Sequence, residues 1–95
     1  MYRIIGNRGT GKTYRLLEKA SEVGGIIVCS NPSAMREKAH TLGFTNLEFM
    51  QYKDYAAYYC EKPVFIDELE MYVRAISGRT LKGYTYSLED GEIWK

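Results

Sequence analysis

Apolar and β-branched residues fall in short clusters separated by helix-spaced stretches, and this alternation sets the expected fold. Tyr2-Arg3-Ile4-Ile5 reads as a short buried strand, and Ile26-Ile27-Val28-Cys29 as a continuous run of the kind covered on both faces. Between them Leu16, Leu17, Ala20 and Val23 recur at i, i+1, i+4 and i+7, the apolar stripe of a helix that Gly24-Gly25 closes. Ser30-Asn31-Pro32 then offers Asn31 as an N-cap and Pro32 at the first helical position. Met35, Ala39 and Leu42 continue that helix as a stripe, and Gly43 stops it.

Leu47 to Met50 predicts a further short strand, and Asp54 to Cys60, rich in Tyr and Ala, a short helix. After Pro63, Val64-Phe65-Ile66 forms another apolar strand that runs into Asp67-Glu68. Leu69, Val73 and Ile76 then space as a helix face ending at Gly78. Thr80 to Ser87 is rich in Thr and Tyr, and Asp90-Gly91 is a two-residue hairpin signal before Glu92-Ile93-Trp94-Lys95.

Strands alternating with short helices predict βαβ units with right-handed crossovers. The expected fold is a single α/β domain over residues 1–95, with three α/β/α layers around a small, mostly parallel sheet and a C-terminal β-hairpin. In such a sheet ligands bind beyond the carboxyl ends of the strands. Those ends fall at Gly6, Ser30, Asp67 and a residue near Thr85 or Ser87.

Composition narrows the function classes. A chain of 95 residues has room for one domain and a thin core. Its net charge of +1 creates no long-range field, so nucleic acid or an acidic membrane would have to be met by a local patch. No apolar run is long enough to span a bilayer. The second residue already begins a strand, leaving no room for a signal peptide, so a cytoplasmic location is expected. Cys29 and Cys60 lack metal or redox spacing and read as reduced, buried thiols. His40, the single histidine, leaves little basis for a His-based triad or a zinc site.

The most specific chemistry lies in Gly6-Asn7-Arg8-Gly9-Thr10-Gly11-Lys12-Thr13, which fits G-x-x-x-x-G-K-[ST] directly after a strand and before a helix. Glycines let the backbone curl so that its N–H groups point at phosphate oxygens. Lys12 reaches the β/γ-phosphates, and the Thr13 hydroxyl joins a Mg²⁺ shell. The strand, loop, helix order also sets the positive end of a helix against the anion. Asp67, delivered by an apolar triplet to a strand end, suits a metal partner acting through water, since Mg²⁺ keeps several waters beside one or two carboxylates. Glu68 beside it can accept a proton from an attacking water. An acid at a helix start is also common for capping alone, and both roles can hold together.

Gly6 to Thr13 and Val64 to Glu68 resemble the Walker A and Walker B motifs of the P-loop NTPases. The Asp67-Glu68 pair is similar to the branch with an additional catalytic glutamate, which includes AAA+, RecA-like and helicase ATPases. The resemblance implies binding of ATP with Mg²⁺ and hydrolysis to ADP and phosphate. It implies a nucleotide site at Gly6, Asn7, Arg8, Gly9, Thr10, Gly11, Lys12, Thr13 and Tyr14, metal ligation by Thr13 and Asp67, and catalysis by Lys12 and Glu68. It further implies a γ-phosphate sensor after the last strand, for which Thr85 or Ser87 is the nearest match. An arginine given to a neighbouring subunit has Arg74 and Arg79 as candidates.

The chain departs from that branch in lacking a visible lid, second lobe or fifth core strand after Ser87. Such compactness is expected of a phage or other mobile-element protein. Partners implied are a protein, a second copy of the chain, or DNA, with no membrane. Two other readings stand beside the ATPase: a small P-loop kinase similar to thymidine kinases, and a nucleotide-binding adaptor or inhibitor without catalysis.

Several residues read two ways. Tyr14 can stack on adenine or pack on the sheet, and Arg8 can touch the γ-phosphate or face water. Tyr52, Tyr55, Tyr58, Tyr59, Tyr84 and Tyr86, near Lys53, Lys62 and Lys82, could stack single-stranded bases. The i, i+3, i+7 spacing of Tyr52, Tyr55 and Tyr59 describes equally well a helix stripe packed on a sheet.

Overall fold

The computed structural model describes residues 3–7, 9–57, 61–78, 81–85 and 91–94. Among them the chain runs β1 (Arg3–Gly6), α1 (Lys12–Ser21), β2 (Ile26–Cys29), α2 (Pro32–Thr41), β3 (Glu48–Gln51), α3 (Tyr52–Ala56), β4 (Val64–Ile66), α4 (Leu69–Ser77) and β5 (Gly91–Trp94). This is a small α/β domain. Every strand pairing is parallel: β2 lies between β3 and β4, and β1 pairs with β5.

The four buried residues of β2 divide the core between two faces, because side chains alternate across a strand. Ile27 and Cys29 meet Leu17 and Ala20 of α1 and Ala39 of α2. Ile26 and Val28 meet Tyr52 of α3, with Tyr55, Tyr72 and Ala75 packed around them. The sheet β3-β2-β4 therefore has α1 and α2 over one face and α3 and α4 over the other. A strand covered on both sides needs an unbroken apolar run, which Ile26 to Cys29 supplies.

Helix ends follow the local chemistry. The Asn31 side chain accepts from the Ala34 N–H at 3.2 Å, and Pro32 opens α2 at a position where its missing N–H costs nothing. Gly78 ends α4 with φ of 66°, which suits glycine. Val23 and Leu42 fall just beyond the last turns of α1 and α2 and stay exposed.

Gly25 fixes how closely β2 and β4 begin. A Cβ there would lie 2.8 Å from the Pro63 carbonyl oxygen and 2.9 Å from a Phe65 ring carbon. That carbonyl also accepts the Ile26 N–H at 2.9 Å, so it cannot retreat without breaking the ladder. Gly25→Ala is expected to cost about 1–3 kcal/mol, read as a fall of roughly 4–8 °C in Tm per kcal/mol. An unchanged melting curve would contradict this close approach.

The structure corrects three sequence expectations. A fifth strand does follow Ser87: Gly91 opens β5, which runs parallel to β1 with Ile5 opposite Ile93. Residues 81–85 form no strand, and residues 86–90, the remainder of the hairpin's expected first arm, lie outside the described residues. Gly91 thus takes part in a pairing that satisfies backbone groups along β1, while Asp90 lies outside the described residues. On α4, Leu69 and Ile76 are 57% and 47% exposed, so the Leu69, Val73, Ile76 stripe is not the packed face. Tyr72 and Ala75 take that place, with the Tyr72 ring 5.7 Å from Tyr52 and 6.0 Å from Tyr55. Finally, α3 begins at Tyr52 rather than Asp54 and ends at Ala56, while Tyr58, Tyr59 and Cys60 lie outside the described residues.

Among the described residues no helix is long and apolar enough to cross a membrane.

Candidate active site

The loop between β1 and α1 turns on glycine. Gly9 and Gly11 have φ of 81° and 90°, left-handed backbone that costs other residues about 1–2 kcal/mol. Gly11 is also the N-cap of α1, and no side chain caps that helix. Its first N–H groups therefore open towards the loop as donors for an anion. The Asn7 carbonyl accepts both the Thr10 hydroxyl, at 2.7 Å, and the Lys12 ammonium, at 2.6 Å. Lys12 is thus folded over the loop, its charge held at the mouth of α1.

Thr13, in the first turn of α1, donates its hydroxyl to Asp67 Oδ1 at 3.2 Å, joining residues 54 positions apart. Asp67 follows β4 directly, and its backbone is fixed on both sides. Its N–H donates to the Val28 carbonyl at 2.9 Å, carrying the β2–β4 ladder one residue further. Its own carbonyl accepts the Tyr52 hydroxyl at 2.6 Å. The next residue, Glu68, has φ of 60° and ψ of 73° and is the one non-glycine residue with positive φ among those described. A non-glycine residue held there costs of order 1–3 kcal/mol, and such strain gathers at functional sites.

Burial pushes the Asp67 carboxyl above its ordinary value of 3.8. The Thr13 hydrogen bond works against the rise, the charge of Glu68 adds to it, and the charges of Lys38 and Lys12 oppose it. The same surroundings act on two neighbours. Burial foremost, then the Asp67 charge, pushes Tyr52 to about 12, so its hydroxyl keeps the proton it donates. Burial also takes Cys29 to about 11, with the Asn31 backbone opposing and Asp67 adding, which leaves a protonated, unreactive thiol.

A folded-state pKa above the unfolded one means that the folded chain holds the proton more tightly. The Asp67 contribution to stability is therefore fully present below 3.8 and lost as pH rises through the folded value. In metal-free buffer at neutral pH, Asp67→Asn is expected to melt higher than the native chain, with the difference vanishing below that window. A neutral-pH Tm for Asp67→Asn below the native one would contradict the sign.

Mg²⁺ is the metal the sequence implies, and the donor set fits it. The Thr13 hydroxyl and the Asp67 carboxylate, 3.2 Å apart, are hard oxygen donors of the kind Mg²⁺ takes, directly or through one of the waters it keeps. The described residues contain no group of three or more His, Cys, Asp or Glu side chains suited to a metal. An ion at this place would thus need oxygens from water and a bound ligand as well. Compared with known proteins, the chain matches no family model, no curated protein and no solved structure.

The other candidates scatter. Gly6 closes β1 at the base of the loop, and the exposed Tyr14 ring packs 5.5 Å from Phe44. Thr85 is exposed in a segment without strand, so the structure does not bring it to a strand tip as expected for a sensor. Arg74 is exposed on α4 beside a cavity. Arg8, Arg79 and Ser87 lie outside the described residues.

Two residues at the site escaped sequence reasoning. Tyr52 reads as a stripe or a stacking residue, yet it is buried and braces the Asp67 backbone. This also removes Tyr52 from any base-stacking platform, and Tyr55 is engaged with Tyr72. Lys38 carries no motif, and only the fold sets its charge to act on Asp67.

Proposed function

We propose that the chain binds ATP with Mg²⁺ and hydrolyses it to ADP and phosphate, as a compact member of the P-loop NTPases coupled to a protein or DNA partner. The observation that carries this reading is the Thr13–Asp67 contact at 3.2 Å. It joins the hydroxyl next to the loop lysine to the carboxylate ending an apolar strand, the two groups that a Mg²⁺-nucleotide site requires.

The roles follow from chemistry. The N–H groups of the glycine loop and the Lys12 ammonium bind the β/γ-phosphates, replacing the Asn7 carbonyl as the lysine's partner. Thr13 and Asp67 would hold Mg²⁺, which would supply neutralisation of the phosphate charge. Glu68 takes the proton of a water whose oxygen forms the new bond to the γ-phosphorus, while the bond to the bridging oxygen breaks and ADP leaves. Tyr52 keeps the strand end fixed so that the two acids stay in register with α1. On the same reading the two-stranded sheet β1-β5 and the three-stranded sheet β3-β2-β4, separate in hydrogen bonding, together correspond to the parallel sheet of a P-loop NTPase, with the loop at the carboxyl end of β1.

Steady-state phosphate release from ATP, with Mg²⁺ and with EDTA, tests the reading, alone and in the presence of single-stranded or duplex DNA. Mg²⁺-dependent release without any acceptor supports hydrolysis. Release that requires an added nucleoside would replace it with phosphoryl transfer to that acceptor.

A further inference from the structure

We propose that the groove between α3 and α4 is a second ligand site, taking a phosphate monoester of nucleotide size. It is a solvent-open groove of about 480 Å³, within the range of roughly 300–1,000 Å³ usual for small-molecule sites. Ser30, just after β2, and Gln51, at the end of β3, place it at the carboxyl edge of the sheet, where ligands of α/β folds bind.

The lining sets the chemistry. Lys53 and Arg74 line the groove and no carboxylate does. Neither makes an ion pair among the described residues, whereas Arg15 and Lys62 are held by Glu18 and Glu48. Of the acids nearby in sequence, Glu70 accepts the Tyr84 hydroxyl. Two uncommitted cations, one from each helix that borders the groove, suit a dianionic phosphate. Met71 and Ala75 supply apolar surface for a ring, and Ser30 and Gln51 supply hydrogen bonds to its edge. Tyr52 forms part of the wall and bonds the Asp67 carbonyl, so the groove stands one hydrogen bond from the acid pair. The near-neutral net charge favours a free nucleotide over a nucleic-acid strand.

The site goes beyond the ATPase reading and stands or falls apart from it. The test is titration of the full chain with adenosine and thymidine monophosphates, thymidine, inorganic phosphate and a ten-nucleotide oligo-dT, followed by ¹H–¹⁵N shifts. Either monophosphate is expected to move Gln51, Lys53, Arg74 and Ala75 along a curve separate from that of Gly9, Gly11 and Lys12. Thymidine should bind the groove at least about tenfold more weakly than its monophosphate, for want of charge-assisted bonds. Combining Lys53→Glu with Arg74→Glu should weaken the groove curve by the same factor, while Lys19→Glu, at the far end of α1, leaves it unchanged. Lys53→Glu alone, which reverses one of the two cations, should weaken it in part, so a misfolded double variant does not end the test. Absent groove shifts, equal weakening by Lys19→Glu, or groove binding by oligo-dT that neither monophosphate displaces would each overturn the proposal.

Discussion

Glu68→Gln is expected to lower Mg²⁺-dependent phosphate release by at least about a hundredfold, the loss typical of removing a general base. ATP affinity should stay within a few-fold. The amide keeps the size of the side chain and the left-handed backbone of residue 68, so the proton acceptor is what changes. Glu68→Gly separates chemistry from strain. It removes the same acceptor but relieves a conformation that costs a residue with Cβ about 1–2 kcal/mol. That variant should be inactive and yet melt higher, by roughly 4–8 °C per kcal/mol. Unchanged turnover in Glu68→Gln would remove Glu68 as the base, and a lower Tm in Glu68→Gly would show that the strain is not borne at this residue.

Lys12→Ala is expected to weaken ATP binding by roughly ten- to 150-fold, since a charge-assisted contact to phosphate contributes about 1.5–3 kcal/mol and the dipole of α1 remains only a partial substitute. Among the described residues the Lys12 ammonium donates to the Asn7 carbonyl within the same loop, so the variant should keep its Tm. The two readouts divide the interpretation: weakened binding with an intact melting curve places the effect at the loop, whereas a collapsed curve would assign Lys12 a structural role. Full ATP affinity in Lys12→Ala would contradict the loop's part in binding.

What the sequence disclosed depended on how local the cause was. The loop was legible because Gly9, Gly11 and Lys12 act through adjacent backbone geometry. Ile26 to Cys29 was legible as a doubly covered strand for the same reason. The arrival of Asp67 at a strand end followed from three apolar residues, but its contact with Thr13 spans 54 positions and no spacing rule yields it. The helix face of α4 was misread because Leu69, Val73 and Ile76 satisfy helical periodicity as well as Tyr72 and Ala75 do. The choice between them is made by Tyr52 and Tyr55 on another helix. The positive φ of Glu68 was invisible because glutamate is not a residue type that favours it. Tyr52 was hidden by its neighbours, since one more tyrosine in a tyrosine-rich stretch carries no mark of its bond to Asp67.

The account rests on Thr13 and Asp67 forming a Mg²⁺-nucleotide site, and calorimetric titration of ATP into the native chain and Asp67→Asn, each with Mg²⁺ and with EDTA, tests it most directly. The native chain should bind ATP more tightly with Mg²⁺ than with EDTA, and Asp67→Asn should lose that difference while still binding the free nucleotide. No ATP binding by the native chain, or a Mg²⁺ enhancement that survives in Asp67→Asn, would contradict it.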